Sequence, residues 1–253
     1  MTKKNITPPL VLMAAGRSKR MDEVTQKKPK ALLELLNKPL LEHFLDRVVE
    51  AKIKSALLIT GYKADQIRKF VKSVFKSKLN VDFINNPQYD KTNNLYSLYL
   101  ARKHLDGKSF LLCNADIIVN KEIILGMTQS NGRSVIAIDD VHRLDEIDSP
   151  GTIIDSGRIY DLGRHIPRSK NGGYAIGVYK FNEELSRAFF KEAETLLSNN
   201  IQAGFHDPLP SLFKNYPVYA HSTQGLSWAD VDEPAEIPQM ERTIKRIIKE
   251  EQN

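Results

Sequence analysis

Short apolar runs alternate with longer stretches of helical periodicity along most of this chain, and that alternation restricts the fold more than any other feature. Residues 10–14 (LVLMA), 55–60 (SALLIT), 81–84, 110–113 (FLLC) and 135–138 are four to six residues long and mostly apolar, as strands covered on both faces are. Between them lie amphipathic segments. Residues 40–52 place Leu41, Phe44, Leu45, Val48 and Val49 on one face, and 64–75 place Ile67, Val71, Val74 and Phe75 inward. Residues 95–104 and 121–129 are also predicted helices. Strands separated by helices imply right-handed βαβ crossovers and a mainly parallel sheet. The rhythm then changes. Residues 152–162 (TIIDSGRIYDL) read as an antiparallel hairpin about a Ser-Gly turn. A strand over 173–181, a helix over 183–197, a short strand over 218–221 and a closing helix over 236–251 follow. With no internal repeat and no long linker, 1–253 is expected to be a single α/β domain. Residues about 8–120 and about 121–253 would form its two halves, sharing one sheet.

The charge is unevenly distributed. The formal net charge is +6, with 37 Lys and Arg against 31 Asp and Glu. Residues 1–30 hold eight basic side chains and two acidic ones, and residues 62–79 hold six and one, so the remainder is acidic overall. A cationic first third calls for an anionic ligand such as phosphates or nucleic acid. The basic helix with Arg68, Lys69, Lys72, Lys76 and Lys78 has no interleaved aromatics and no nucleic-acid motif, so it reads as a solvated face. The single cysteine, Cys113, excludes an intramolecular disulfide framework and multi-cysteine zinc sites. The six histidines lack HExxH spacing, which argues against hydrolytic zinc. No apolar run approaches the roughly 20 residues of a membrane span, and the first ten residues are too short and Pro-interrupted for a signal peptide. A cytoplasmic protein is expected, binding neither membrane nor nucleic acid.

The first strand runs directly into Met13-Ala14-Ala15-Gly16-Arg17-Ser18-Lys19-Arg20-Met21. In open parallel sheets ligands bind beyond the C-terminal strand ends. Small residues there let backbone N–H groups approach a triphosphate, and Gly16 permits an unusual turn. Lys30 follows in Lys28-Pro29-Lys30-Ala31-Leu32, with Pro29 stiffening the backbone before it. A fixed lysine beside phosphates can neutralise charge building on phosphorus. Neither GxxxxGK[ST] nor GxGxxG is present, so P-loop and dinucleotide readings lack support. Asp116 sits at another strand end, in FLLCNADII. Asn93 and Asn94 open a predicted helix, where they can cap it and hydrogen-bond a base or sugar.

The run MAAGRSKRM-DEVTQK-KPKALLEL resembles the signature of nucleotidyltransferases that make activated sugars and alcohols from an NTP. Ser18 departs from it, standing where many members carry a second glycine; related molybdopterin nucleotidyltransferases also accept serine there. The string from Asn85 to Ala101 (NNPQYDKTNNLYSLYLA) is similar to the bacterial CTP:phosphocholine cytidylyltransferase group. The resemblance is strong over 9–120 and weaker to 181, and then rests on Asp230-Val231-Asp232-Glu233-Pro234. It implies a Rossmann-like three-layer α/β/α fold of the nucleotide-diphospho-sugar transferase type, with a mainly parallel mixed sheet. It also implies Mg²⁺ held by Asp116 and by Asp232 or Asp230, Asp232 being favoured. Arg20 and Lys30 become the catalytic cations. Met13, Ala14, Ala15, Gly16, Arg17, Gly61, Tyr62, Asn93 and Asn94 become the nucleotide site. The expected reaction transfers CMP from CTP to a small phosphorylated or phosphonylated alcohol or amine and releases pyrophosphate. A sugar-1-phosphate or inositol-phosphate nucleotidyltransferase using another NTP is the alternative. A quaternary ammonium acceptor would need aromatic faces and a carboxylate, for which Tyr89, Tyr96, Tyr174 and Trp228 are candidates. The acidic stretch with Asp139, Asp140, Asp145, Glu146 and Asp148 reads as a solvated loop or an acceptor-binding loop. Oligomeric state is not legible.

Overall fold

The computed structural model describes residues 7–141 and 149–252. Asp145, Glu146 and Asp148 of the acidic stretch lie outside them. In chain order the first elements are β1 (Leu10–Ala14), α1 (Asp22–Thr25), a small ribbon of β2 (Glu34–Leu35) and β3 (Lys38–Pro39), α2 (Leu40–Glu50), β4 (Ser55–Thr60), α3 (Ala64–Val74) and β5 (Asn80–Asn85). Next come α4 (Asn94–Tyr99), α5 (Arg102–Leu105), β6 (Phe110–Asn114), β7 (Ile117–Val119), α6 (Lys121–Gln129) and β8 (Ser134–Asp139). The remainder is β9 (Gly151–Asp155), β10 (Arg158–Gly163), β11 (Tyr174–Phe181), α7 (Glu183–Asn199), α8 (Leu209–Phe213), β12 (Val218–Ser222), β13 (Trp228–Asp230) and α9 (Ile237–Glu250).

The main sheet has nine strands in the order β5-β4-β1-β6-β11-β8-β12-β10-β9. β1 runs parallel to β4 and β6, and β4 to β5. β11 is antiparallel to both β6 and β8, which makes the sheet mixed. The hairpin β9–β10 folds back so that Gly151 of β9 also pairs with Tyr174 of β11. Successive strand residues point to opposite faces, and each face carries its own apolar core. Leu10, Leu12, Leu58 and Leu111 pack with Phe44, Val48, Ile67 and Ile244 of α2, α3 and α9. Val11, Ile59, Leu112 and Tyr179 pack with Leu98, Phe189 and Phe213 of α4, α7 and α8. The result is the expected three-layer α/β/α arrangement. No helix among the described residues is long and apolar enough to cross a membrane.

The predicted helix over 95–104 is interrupted. Backbone bonds tighten to i→i−3 where Ala101 N donates to Leu98 O and His104 N to Ala101 O, which separates α4 from α5. One further pairing positions the site. β7, just after Asp116, forms an antiparallel ribbon with β13, placing Asp230 opposite Ile117, and Val231 N donates to Asp116 O at 3.2 Å. Residues more than 110 apart in sequence are thereby brought together.

Candidate active site

The loop after β1 forms the floor of the site. Gly16 has an ordinary φ, and a Cβ there would meet nothing within 4 Å. The unusual turn expected at Gly16 is instead at Ser18, which is left-handed at φ 57°. That is the conformation glycine adopts at least cost, and here a serine adopts it. The absent side chain at Gly16 leaves open space. Met13 and Gly16 border two adjacent cavities. One, of about 130 Å³, is closed by Ala15, Tyr89, Thr92, Asn93, Asn94 and Ser97. The other, of about 90 Å³, is closed by Ala14, Ser18, Pro29, Lys30 and Asp116.

Gly61 and Tyr62 brace this loop. A Cβ on Gly61 would lie 2.6 Å from Ala15 O and 2.7 Å from Tyr89 Cβ, so only glycine allows that approach. Tyr62 N donates to Ala15 O at 2.9 Å, and its hydroxyl reaches Thr25 O and Gln26 O. The Tyr62 and Tyr89 rings stand 5.9 Å apart. Arg17 is tied to Asp22 at 3.1 Å, with both groups on the surface.

Lys30 is the electrostatic centre. It is 5% exposed and donates to Asp232 Oδ1 at 2.7 Å and Asp116 Oδ2 at 3.1 Å. Arg20 donates to the other Asp232 oxygen at 2.7 Å and approaches Glu233 at 3.9 Å. Burial by itself pulls the Lys30 pKa down, but Asp116 and Asp232 outweigh it and hold the ammonium above its ordinary 10.5. Burial pushes Asp232 up, yet Lys30 and Arg20 outweigh it and the carboxyl lies below its ordinary 3.8. Asp230 differs. Among the described residues no cation pairs with it, and although part of its surface meets solvent its surroundings are crowded. Burial first, then Asp116 and Asp232, push its carboxyl up to about 6. Three carboxylates thus converge, two of them neutralised by Lys30 and Arg20.

The Asn85–Asn94 loop is held by Asn86, which the sequence did not single out. It is fully buried, donating to Thr92 Oγ1 and Ser97 Oγ and accepting from Gln88 N. Asn93 caps α4 by accepting from Asn94 N and donates to Gln202 O. Asn94 Oδ1 accepts from Phe205 N at 2.7 Å. Both amides therefore bind the 202–205 segment while lining the cavity. The four acceptor aromatics do not meet. Tyr89 pairs with Tyr62, and Trp228 donates its indole N–H to buried Asp139 at 2.7 Å. Tyr96 lies on α4 and Tyr174 at the start of β11. Among the described residues no ring contact joins Tyr89, Tyr96, Tyr174 and Trp228 to one another.

A cationic loop after β1 and a buried lysine thus meet carboxylates that follow β6 and β13 in a three-layer α/β domain. Residues 10–200 match the MobA-like NTP transferase domain, and the chain belongs to that family. It is 24% identical over 229 residues to the bifunctional protein GlmU of Methanocaldococcus jannaschii, a match covering 90% of this chain and 52% of that protein. The chain spans about half the length of such relatives. The choline-phosphate cytidylyltransferase of Streptococcus pneumoniae is 34% identical over 95 residues, 38% of this chain and 39% of that one. The fold is shared with the inositol-1-phosphate CTP transferase from T. maritima at a TM-score of 0.81 and 15% identity, covering 95% of this chain and 96% of that one.

Proposed function

We propose that this domain transfers a nucleotidyl group, CMP from CTP, to a small phosphorylated acceptor. The observation that carries the reading is Lys30, buried between Asp116 and Asp232 beside the open loop at Gly16. An acceptor phosphate oxygen bonds to the α-phosphorus of the NTP. The bond to the α–β bridging oxygen breaks, and pyrophosphate leaves with that electron pair. No side-chain nucleophile is needed. The Gly16–Ser18 loop receives the phosphates, and Lys30 and Arg20 stabilise negative charge as it accumulates. Catalysis is then placement and electrostatics.

Mg²⁺ fits the donor set. Among the described residues no three His, Cys, Asp or Glu side chains form a self-contained metal cage. Mg²⁺ does not require one, because it binds through one or two carboxylates together with substrate phosphates and water. Asp116 with Asp232 or Asp230 would supply those carboxylates; burial first, and then Asp116 and Asp232, raise the Asp230 carboxyl. When bound, the ion would neutralise phosphate charge.

The choline-phosphate relative supports CTP with an amino-alcohol phosphate. A second reading, a phosphorylated sugar or cyclitol acceptor, is favoured by the dispersal of the four aromatics. The test is pyrophosphate release across four NTPs and a panel of acceptors with Mg²⁺. CTP should turn over fastest, and loss of turnover in Lys30→Ala and Asp116→Ala should accompany it. Turnover unchanged in both variants refutes the site.

A further inference from the structure

The chain leaves the site at Asp232 and runs back along it. The turn at Pro234–Glu236 leads into α9, whose 14 residues span about 21 Å. Each end of α9 fastens one flank of β13. At the start, Glu236 Oε2 accepts from the backbone N–H groups of Asp232 at 2.5 Å and Glu233 at 2.9 Å. At the far end, Glu250 accepts from two residues. Asn120 Nδ2 and Ser227 N donate to its Oε2, each at 3.1 Å, and Ser227 Oγ donates to its Oε1 at 2.5 Å. Between the two ends Met240, Ile244 and Ile247 are buried in the same core as Val231.

Asn120 and Ser227 close the β7–β13 ribbon. Asn120 directly follows β7, Ser227 directly precedes β13, and Asn120 N donates to Ser227 O at 3.0 Å. They are 1% and 5% exposed, so the carboxylate and not water is their partner. The ribbon's other end carries Asp230 and the bond from Val231 N to Asp116 O. Ser227 and Asp230 are three residues apart, about 10 Å. Glu250 thus acts on the site through the ribbon. The dipole of α9 does not favour a carboxylate there, since a last turn is the negative end of its own helix. The neighbouring element does. Glu251 accepts from Lys121 N at 2.8 Å and pairs with Arg47 at 3.2 Å, so both carboxylates meet the positive start of α6. Asn120 caps α6 by accepting from Glu122 N at 3.0 Å. With its carbonyl committed to that cap, its amide N–H group is directed at Glu250.

We propose that Glu250 is a positioning residue for nucleotidyl transfer: by stitching Asn120 to Ser227 it fixes the ribbon, and through it the spacing of Asp230 and Asp232 from Asp116 and Lys30. This rests on the nucleotidyl-transfer reading above. Geometry rather than charge carries the effect. A glutamine keeps all three bonds: its amide oxygen accepts from Asn120 Nδ2 and Ser227 N, and its amide N–H donates to Ser227 Oγ, a hydroxyl that can also accept. An alanine leaves all three donors unpaired. The test compares wild type with Glu250→Ala, Glu250→Gln, Ser227→Ala and Val71→Ala, the last a truncation of a buried side chain in α3. It measures pyrophosphate release from CTP with the acceptor panel above, and hydrogen exchange at Val231 in the free protein. Glu250→Ala should lower kcat about 100-fold, the scale of a displacement near 1 Å, and speed exchange at Val231 at least about tenfold. The KM for CTP should stay within about threefold, because the cavity at Asn93 and Asn94 is built on other elements. Ser227→Ala removes one of the three bonds and should lower kcat about tenfold, which keeps the test readable if Glu250→Ala does not fold. Glu250→Gln and Val71→Ala should stay within about threefold of wild type in kcat, the second despite its lower stability. Native kcat or native Val231 exchange in Glu250→Ala overturns the proposal while nucleotidyl transfer stands. So does an equal fall in Val71→Ala, or a Glu250→Gln as damaged as Glu250→Ala. A wild type that releases no pyrophosphate from any NTP with any acceptor overturns the nucleotidyl-transfer reading, and this proposal with it.

Discussion

Replacing Lys30 by methionine keeps most of the side-chain volume and removes the charge. In the native site the ammonium bridges Asp232 at 2.7 Å and Asp116 at 3.1 Å, and among the described residues only Arg20 shares the neutralisation of Asp232. Orphaning a buried charge partner costs about 3–5 kcal/mol. Both carboxylates keep a third of their side-chain surface, which favours the lower end, about 3 kcal/mol, or roughly 6–12 °C in Tm for a chain of this size. The loss depends on pH. Asp232 has a depressed folded pKa, so its contribution is present above the ordinary 3.8 and is lost as pH falls through the lower folded value. Lys30 has a raised folded pKa, so its contribution is present below 10.5 and is lost as pH rises through the higher folded value. The stability gap between wild type and Lys30→Met should therefore be full at pH 7 and close in acid below the depressed Asp232 value. Denaturant melts at pH 7 and over a descending acid series below pH 3.8 measure it. Turnover should fall about 100- to 1000-fold, the usual effect of removing one preorganised charge-stabilising group. A variant with native Tm at pH 7 and turnover within threefold of wild type would refute both the bridging role and the catalytic one.

Three more outcomes follow from the geometry. Asp230 has a raised folded pKa, so its ionisation costs stability above about pH 6, and Asp230→Asn should raise the metal-free Tm at pH 8 but not at pH 3.5; an equal change at both pH values contradicts the crowding of the three carboxylates. Gly61→Ala forces a Cβ against Ala15 O and Tyr89; it should cost about 1–3 kcal/mol in chemical denaturation and raise the KM for CTP about tenfold, and a native KM speaks against the bracing role. Asp139→Ala leaves the Trp228 indole N–H without its partner; it should cost about 2 kcal/mol and shift the emission of the chain's single tryptophan, whereas unaltered fluorescence contradicts that contact.

What the sequence determined by itself is local. The apolar runs at 10–14 and 55–60 became β1 and β4 with the predicted bounds, and 121–129 became α6 with the predicted bounds, because periodicity and short-range sterics set those elements. Gly16, Lys30 and Asp116 were legible as candidate site residues because each belongs to or follows a strand or loop that the chain marks locally, and they line one cavity. Tertiary structure decided what depends on residues far apart. The β7–β13 ribbon is two three-residue strands too short to show periodicity, and it helps bring Asp230 and Asp232 to Asp116. The left-handed residue proved to be Ser18 rather than Gly16, since φ answers to the packing of the whole loop and not to residue type alone. The four candidate aromatics were dispersed by the elements that carry them. Arg164, at the end of β10, lines one cavity with His206 and Asp207, which lie far along the chain. Side-chain chemistry can be read one residue at a time, but a site is a coincidence of distant segments, and only the closed sheet fixes it.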